Sequence, residues 1–497
     1  MNLSKSKYVL GTRCEKLLWL SCYKKEEQEK SNDNILENGN KIGELARNLF
    51  GKDYICIKYN DDYNLMINET KKHLDNKPNI ICEASFSYDG NFCSVDILKN
   101  DNDGIEIYEV KSSTEINESY ISDISYQTWI LKKCGLKVKK SSIVYINSEY
   151  IRENELDLTR LFKIEDVSAL INYEMVEKNI NRFKKIIENK KEPEIDISLI
   201  CKKIKKKFSY DCPYFKYCTK ELPHPNVFDV GWNVHFSKKL EMYYDNKISF
   251  NEIINDNNLN EKANKQLEFE VYNLKDKVDK KEINDFLNSI TYPLYFLDFE
   301  SYQEPIPKIV GTKPYQQICF QYSLHYYLTE NGPLYHKEFL SNDYSNNPML
   351  DLCTNLCKDI KKDACILVYN DSFEKNRLKE MAELFPNFKD DLLNIEKNIK
   401  DLLPLFKNQN YYVKEMEGSS SIKKVLPALF PNDSSLDYHN LEQVHKGDEA
   451  SNAYLSLSSL EEEEKIKLRN NMLKYCALDT YAMVKIYDKL KEITNSK

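Results

Sequence analysis

The sequence predicts an α/β protein of two domains joined by a helical connector, and three observations carry that prediction. Residues 92–112, "FCSVDILKNDNDGIEIYEVKS", read as two strands around a polar turn, with a helix signal, "SYQTWILKKCG", soon after. Residues 295–303, "YFLDFESYQ", form an apolar strand that delivers Asp298 and Glu300, and later segments read as strand, polar break and helix. Residues 226–290 between them are charge-rich and helical in pattern. At 497 residues the chain exceeds one ordinary core. The expected boundaries are 1–225, 226–290 and 291–497.

Composition narrows the class. Hydrophobic residues make up 41% and charged ones 30%, as in a soluble globular protein. The sequence contains no apolar run long enough to span a bilayer. The opening "MNLSKSKYVLGTRCEKLLWL" lacks the uninterrupted apolar core and small-residue cleavage site of a signal peptide. With no such signal, the 14 cysteines are expected to be reduced thiols in a cytoplasm, some of them bound to metal. The net charge of −8 does not advertise nucleic-acid binding, yet local basic patches bind phosphate backbones on acidic proteins too.

In the first half, the hairpin ends with Glu109 and Lys111 on one face, and Asp96 lies on the neighbouring strand. Glu83, in "IICEASF", ends an earlier apolar run, and Gln127 and Trp129 lie on the following helix. A carboxylate pair beside a lysine suits phosphodiester hydrolysis: the carboxylates hold a divalent cation, and the lysine positions water or stabilises developing charge. With 79 acidic and 71 basic residues, an acid-x-base triplet is unspecific by itself, and most such triplets lie on exposed strand edges.

The order Glu83, Asp96, Glu109-x-Lys111, Gln127 resembles the RecB-like branch of the PD-(D/E)xK nucleases, including the CRISPR-associated RecB-like exonucleases. The resemblance covers roughly residues 8–220 and implies a restriction-endonuclease-like domain. It assigns Glu83, Asp96 and Glu109 to metal binding, Lys111 to catalysis and Gln127 to the helical motif. Family members often carry a metal-binding His upstream; here "ENGNKIGELARNLF" has none, and Glu44 is the acid available to face the site.

The cysteines form a second pattern. Cys14 opens an aromatic-rich helix, and Cys201, Cys212 and Cys218 follow in "LICKKIKKKFSYDCPYFKYCTK". Four thiolates suit an iron–sulfur cluster or a structural zinc; against that, buried cysteines are common in ordinary cores. In the RecB-like enzymes one early and three late cysteines hold a 4Fe-4S cluster, which makes this tetrad the expected ligand set, although the gap after Cys201 is longer than usual. The intervening "KKIKKK" reads equally as a solvated face and as a phosphate contact.

In the second half, Asp298 and Glu300 project from one side of their strand, and two such charges repel unless a cation lies between them. "ACILVYNDSFEKNRLKEMAELFP" reads as a strand, a break at Asn370 and a helix carrying Glu374. "NNMLKYCALDTYAMVKIYDKL" is a helix with Tyr475 and Asp479 four apart on one face. Taken singly, these acids read as helix caps and surface contacts. The ordered set D-F-E, N-x-x-F-E, Y-x-x-x-D resembles the DEDD exonucleases of the RNase H-like fold, in their tyrosine-bearing subclass.

That resemblance implies a 3′–5′ exonuclease-type site in which Asp298, Glu300, Glu374 and Asp479 hold two divalent cations about 4 Å apart, with Tyr475 beside the attacking water. The third position is usually Asp; here Glu374 fills it, with Asp371 and Asp401 as alternatives. In "EGSSSIKKVLPALFP", Lys423 and Lys424 are placed to receive a phosphate, while a helix N-cap by Ser419 to Ser421 is the favoured plain reading.

The whole chain resembles a bacterial family of unassigned function that fuses these two domain types. The expectation is a cytoplasmic, Mg²⁺- or Mn²⁺-dependent nuclease with two sites and a 4Fe-4S cluster, acting exonucleolytically on DNA, with RNA as the alternative substrate. A nucleic-acid-binding scaffold with one or both sites inactive is the rival from another class. A third reading makes every motif structural. No membrane association is expected. The chain lacks a G-x-x-x-x-G-K-[ST] loop, so any unwinding motor, such as a helicase or defence-system protein, would be a partner.

Overall fold

A computed structural model describes residues 3–29, 33–76, 78–101, 103–342 and 347–495 of the chain. It has mixed α/β structure and divides into two units. The first comprises Met1–Leu222 and Glu304–Tyr315, and the second Pro223–Gln303 and Gln316–Lys497. Among the described residues no helix is long and apolar enough to cross a membrane.

The first unit is built on a seven-stranded mixed sheet. Its centre is the antiparallel run Ile80–Tyr88, Asn91–Asp101 and Gly104–Lys111, and Val138–Ile146 pairs parallel to the last of these. Successive strand residues enter opposite cores: Leu98, Ile107 and Ile143 face one, and Ile97, Tyr108 and Val144 the other. Both faces are covered, so these strands read as almost continuous apolar runs. Helix Glu118–Lys133 contributes Ile124, Tyr126, Trp129 and Ile130 to the first core. Asn117 caps this helix by accepting the Tyr120 amide, and Lys132 and Lys133 complement its C-terminal dipole. The hairpin turns at Gly104, whose φ of +142° and 2.4 Å approach of a would-be Cβ to the Lys137 carbonyl exclude any side chain.

The second unit carries a five-stranded sheet in the order Leu334–Leu340, Ile318–Tyr327, Leu294–Tyr302, Cys365–Val368, Ile399–Asp401. The first three strands are antiparallel and the last two join parallel. The register opposes Ser323 to Asp298 and Gln321 to Glu300, and a bulge between Cys319 and Gln321 interrupts the ladder beside Glu300. The chain's last long helix, Glu462–Asn495, packs Met472, Cys476, Ala482 and Ile486 inward.

Residues 226–290 do not stand apart as a connector. Helices Phe236–Tyr244, Glu261–Val271 and Lys280–Asn288 bury Met242, Leu267, Phe269 and Ile283 in one core with Phe296, Phe406 and Tyr487. The strand Asp276–Val278 pairs antiparallel with Tyr411–Val413. The charge-rich pattern therefore marks the solvent faces of amphipathic helices whose apolar stripes belong to the second unit.

Candidate active sites

The first site lies where the central hairpin meets helix Glu118–Lys133. Asp96, Glu109, Lys111 and Gln127 converge as the sequence predicts. Glu109 accepts from Lys111 Nζ at 2.6 Å and from Gln127 Nε2 at 2.6 Å. Asp96 accepts the Val110 amide at 2.8 Å. Two further residues join them that sequence reading missed. Asp123 bridges Lys111 at 2.7 Å and Gln127 at 2.9 Å, and Lys5 donates to Glu109 at 3.0 Å and to Asp96 at 3.5 Å.

Glu83 sits in the left-handed region, with φ of +57°, at a break in its strand pairing. It pairs with Arg47 at 2.9 Å. Glu44, the proposed stand-in for the missing His, is exposed, whereas Arg47 of the same segment pairs with Glu83.

Burial, then Asp123 and Asp96, push Glu109 up to about 7. Against the cost of burial, Lys111 and Lys5 hold Asp123 well below the usual carboxylate range. The same contacts outweigh burial for Lys111 and Lys5 and keep both charged far above the ordinary lysine range. Each acid here thus faces a protein cation or an amide donor, and the first site largely balances its own charge.

Cys14, Cys201, Cys212 and Cys218 line one cavity of about 20 Å³ at the junction of helices Lys5–Arg13 and Glu15–Tyr23. All four are free thiols, and burial raises the pKa of each, Cys218 to about 12. The Cys212 amide donates to the Cys201 carbonyl at 2.7 Å, which closes the knuckle. Despite its long gap, Cys201 lies with the other three. Among the described residues, no three metal-type donor atoms of this group approach within 4.8 Å of one another. Tetrahedral zinc holds its sulfurs about 3.8 Å apart, as follows from bonds of about 2.3 Å. A four-iron cube takes one thiolate per corner, so four thiols on one cavity are a donor set of the right number and kind for either group.

The lysine run of this segment is partly committed. Lys202 pairs with Asp211 at 3.1 Å and Lys207 with Glu118 at 3.5 Å.

The second site gathers Asp298 and Glu300 from the central strand, Glu374 from helix Asp371–Leu384, and Tyr475 and Asp479 from the last helix. Donor atoms of Asp298, Glu300 and Cys476 lie within 4.8 Å of one another. Cys476, missed in the sequence, donates to Asp298 Oδ2 at 3.7 Å. A second missed residue, Tyr438, donates to Asp479 Oδ1 at 2.6 Å.

Of the three acids expected as candidates for the third position, Glu374 is the buried one. Asp371 pairs with Lys375 at 2.6 Å, and Asp401 accepts the Asn370 and Leu403 amides at 2.8 and 2.9 Å. Glu374 is buried, and its Oε2 has no hydrogen-bond partner. Asn370 makes the sharp break before the helix with φ of +80°, which Asn tolerates well.

This site does not balance its charge. Burial raises Asp298 and Glu300 well above the carboxylate range, and the neighbouring acids add to the effect. Burial likewise lifts Glu374 to about 8 and Asp479 to about 6. Lys423 opposes the shift at Glu300 and Asp479, with its Nζ 5.7 and 5.9 Å from the rings of Tyr438 and Tyr475. Lys424 instead pairs with Glu417. Ser421 occupies the N-cap of helix Ile422–Leu429, in the segment expected from the sequence; its own side chain accepts no capping bond, and Ser419 Oγ accepts the Ser421 amide at 3.2 Å. Crowded buried carboxylates with an unpartnered oxygen are a donor set that fits hard divalent cations.

Residues 295–421 match the family described as Domain of unknown function (DUF2779). The chain is 27% identical over 403 residues to the Uncharacterized protein MG366 of Mycoplasma genitalium, covering 72% of this chain and 60% of that protein. It is 31% identical over 222 residues to the MG366 homolog of Mycoplasma pneumoniae, covering 40% of this chain and 32% of that protein. The chain thus spans less than two thirds of the length of either relative. No solved structure matches it.

Proposed function

We propose that this chain is a Mg²⁺- or Mn²⁺-dependent nuclease whose hydrolytic centre is the second site, with a PD-(D/E)xK-type first domain and an RNase H-like second domain. One observation carries the reading. Four carboxylates from a strand and two helices converge in a buried site where, among the described residues, Lys423 beside Glu300 and Asp479 and Arg377 beside Glu374 offset only part of their charge. Folding does not stabilise such a cluster by itself; it becomes favourable once a cation shares it. Divalent ions held there supply polarisation of a phosphate and a more acidic water.

The protein's own groups have definite parts. Asp298, Glu300, Glu374 and Asp479 would hold the ions, Tyr438 fixes one oxygen of Asp479, and Tyr475 would orient the attacking water. Exonucleolytic action on DNA is the leading reaction, with RNA second. In the first unit, Asp96 and Glu109 are already matched by Lys5, Lys111 and Gln127. That matching favours a binding role for this domain over hydrolysis. The four cysteines would hold a 4Fe-4S cluster as a clasp between the N-terminal helices and the 201–218 segment.

Mn²⁺ titration by calorimetry tests the reading directly. Wild type should bind with a heat that Asp298→Asn abolishes and Lys111→Ala preserves; binding indifferent to Asp298 would overturn it.

A further inference from the structure

Beside the first site lies a cavity of about 130 Å³. The volume equals about four waters, room for one heterocyclic ring system and no more. Its walls are aromatic: Tyr120, Phe208 and Tyr210 line it together with Arg13, Lys111 and Asp123.

Arg13 is the unusual member. It is 6% exposed, and its guanidinium lies over the Phe208 ring at 4.6 Å and the Tyr210 ring at 5.2 Å. Its Nε and Nη1 donate to the Ile200 and Tyr210 carbonyls at 2.8 and 2.9 Å, but its Nη2 is buried without a partner. Arg13 thus holds the Phe208–Tyr210 segment in place beside the cavity and adds a positive charge to its wall. At the other side, Lys111 Nζ stands 5.3 Å from the Tyr120 ring and belongs equally to the carboxylate constellation. The cavity therefore offers aromatic faces between two cationic side chains, Arg13 and Lys111.

We infer that this cavity holds the unpaired terminal base of a single-stranded nucleic acid, stacked on the aromatic walls formed by Tyr210 and Phe208. The inference rests on the nucleic-acid reading above and adds to it a site for a strand end in the first unit. Stacking is tolerant of base identity, so this pocket selects ends and single strands rather than sequence.

The test uses the full chain in EDTA, where hydrolysis is off, and short single-stranded DNA and RNA oligonucleotides carrying 2-aminopurine at the end or in the middle. Terminal 2-aminopurine should be quenched on binding and the internal probe should not. Tyr210→Ala, at a half-exposed position whose loss spares the core, should relieve the quenching. It should also weaken binding at least fivefold, the lower end of what one stacked base contributes. Val9→Phe, which fills the cavity, should do the same. An oligonucleotide ending in an abasic residue should bind wild type and Tyr210→Ala alike. If oligonucleotides bind but the terminal base and Tyr210 make no difference, the pocket assignment is wrong and the nuclease reading stands. If neither DNA nor RNA binds wild type, both are wrong.

Discussion

Tyr438 donates a 2.6 Å hydrogen bond to Asp479 inside the second site, joining a short helical turn at Tyr438–Asn440 to the last helix. The bond fixes one carboxylate oxygen, and Tyr475 also acts on the same carboxylate. Tyr438→Phe should therefore lower stability by about 1.5–3 kcal/mol, the scale for hydrogen bonds to a charged group. It should also weaken Mn²⁺ binding. Urea denaturation with and without Mn²⁺ measures both effects, and an unchanged midpoint would show that the contact is incidental.

Glu374 gives the pH dependence. Burial raises its pKa from 4.5 to about 8. A carboxyl raised on folding stabilises the fold while protonated, so this contribution is complete below about pH 4.5 and is lost as pH climbs through about 8. Metal-free protein should lose stability across that interval, and Glu374→Gln should flatten the loss. Cations bind the deprotonated set, so Mn²⁺ affinity should rise over the same range. Denaturation in EDTA and Mn²⁺ titration at stepped pH report these trends; affinity falling as pH rises would exclude Glu374 as a ligand.

Lys5 separates the two sites. Its Nζ lies 3.0 Å from Glu109, which also keeps Lys111 and Gln127. Lys5→Ala should cost about 1–2 kcal/mol, less than the loss of the sole partner of a buried charge. It should also open Asp96 and Glu109 to Mn²⁺. A second Mn²⁺ site appearing in Lys5→Ala and vanishing in Lys5→Ala/Asp96→Asn is the expected result. A loss of stability with no added Mn²⁺ site would leave Lys5 a structural ion pair.

The cysteine clasp predicts colour. Protein purified anaerobically should be brown and contain iron and sulfide, and Cys218→Ser should lose both while Cys134→Ser keeps them. Cys134 is exposed and lies outside the tetrad. Zinc in place of iron, or a colourless metal-free wild type, would contradict the cluster.

Local pattern and motif order made the site strands and helices legible: Asp298 and Glu300 on an apolar strand, the break at Asn370, and Tyr475 four residues before Asp479. The supporting residues were less legible. Lys5 reaches partners 91 and 104 positions away, and no local period encodes such a contact. Tyr438 lies in an irregular turn with no repeating pattern. Asp123 did carry a signal, since it stands one helical turn before Gln127 on the same face. Residues 226–290 misled because composition shows a helix's solvent face more plainly than the narrow stripe it buries.

Cleavage of end-labelled single-stranded DNA and RNA in Mn²⁺ by anaerobic wild type, Asp298→Asn and Lys111→Ala tests the central claim most directly. The expected result is stepwise shortening by wild type and Lys111→Ala, reduced at least about a hundredfold in Asp298→Asn. Wild type inert on every substrate, or Asp298→Asn shortening strands at the wild-type rate, would contradict the assignment of hydrolysis to the second site.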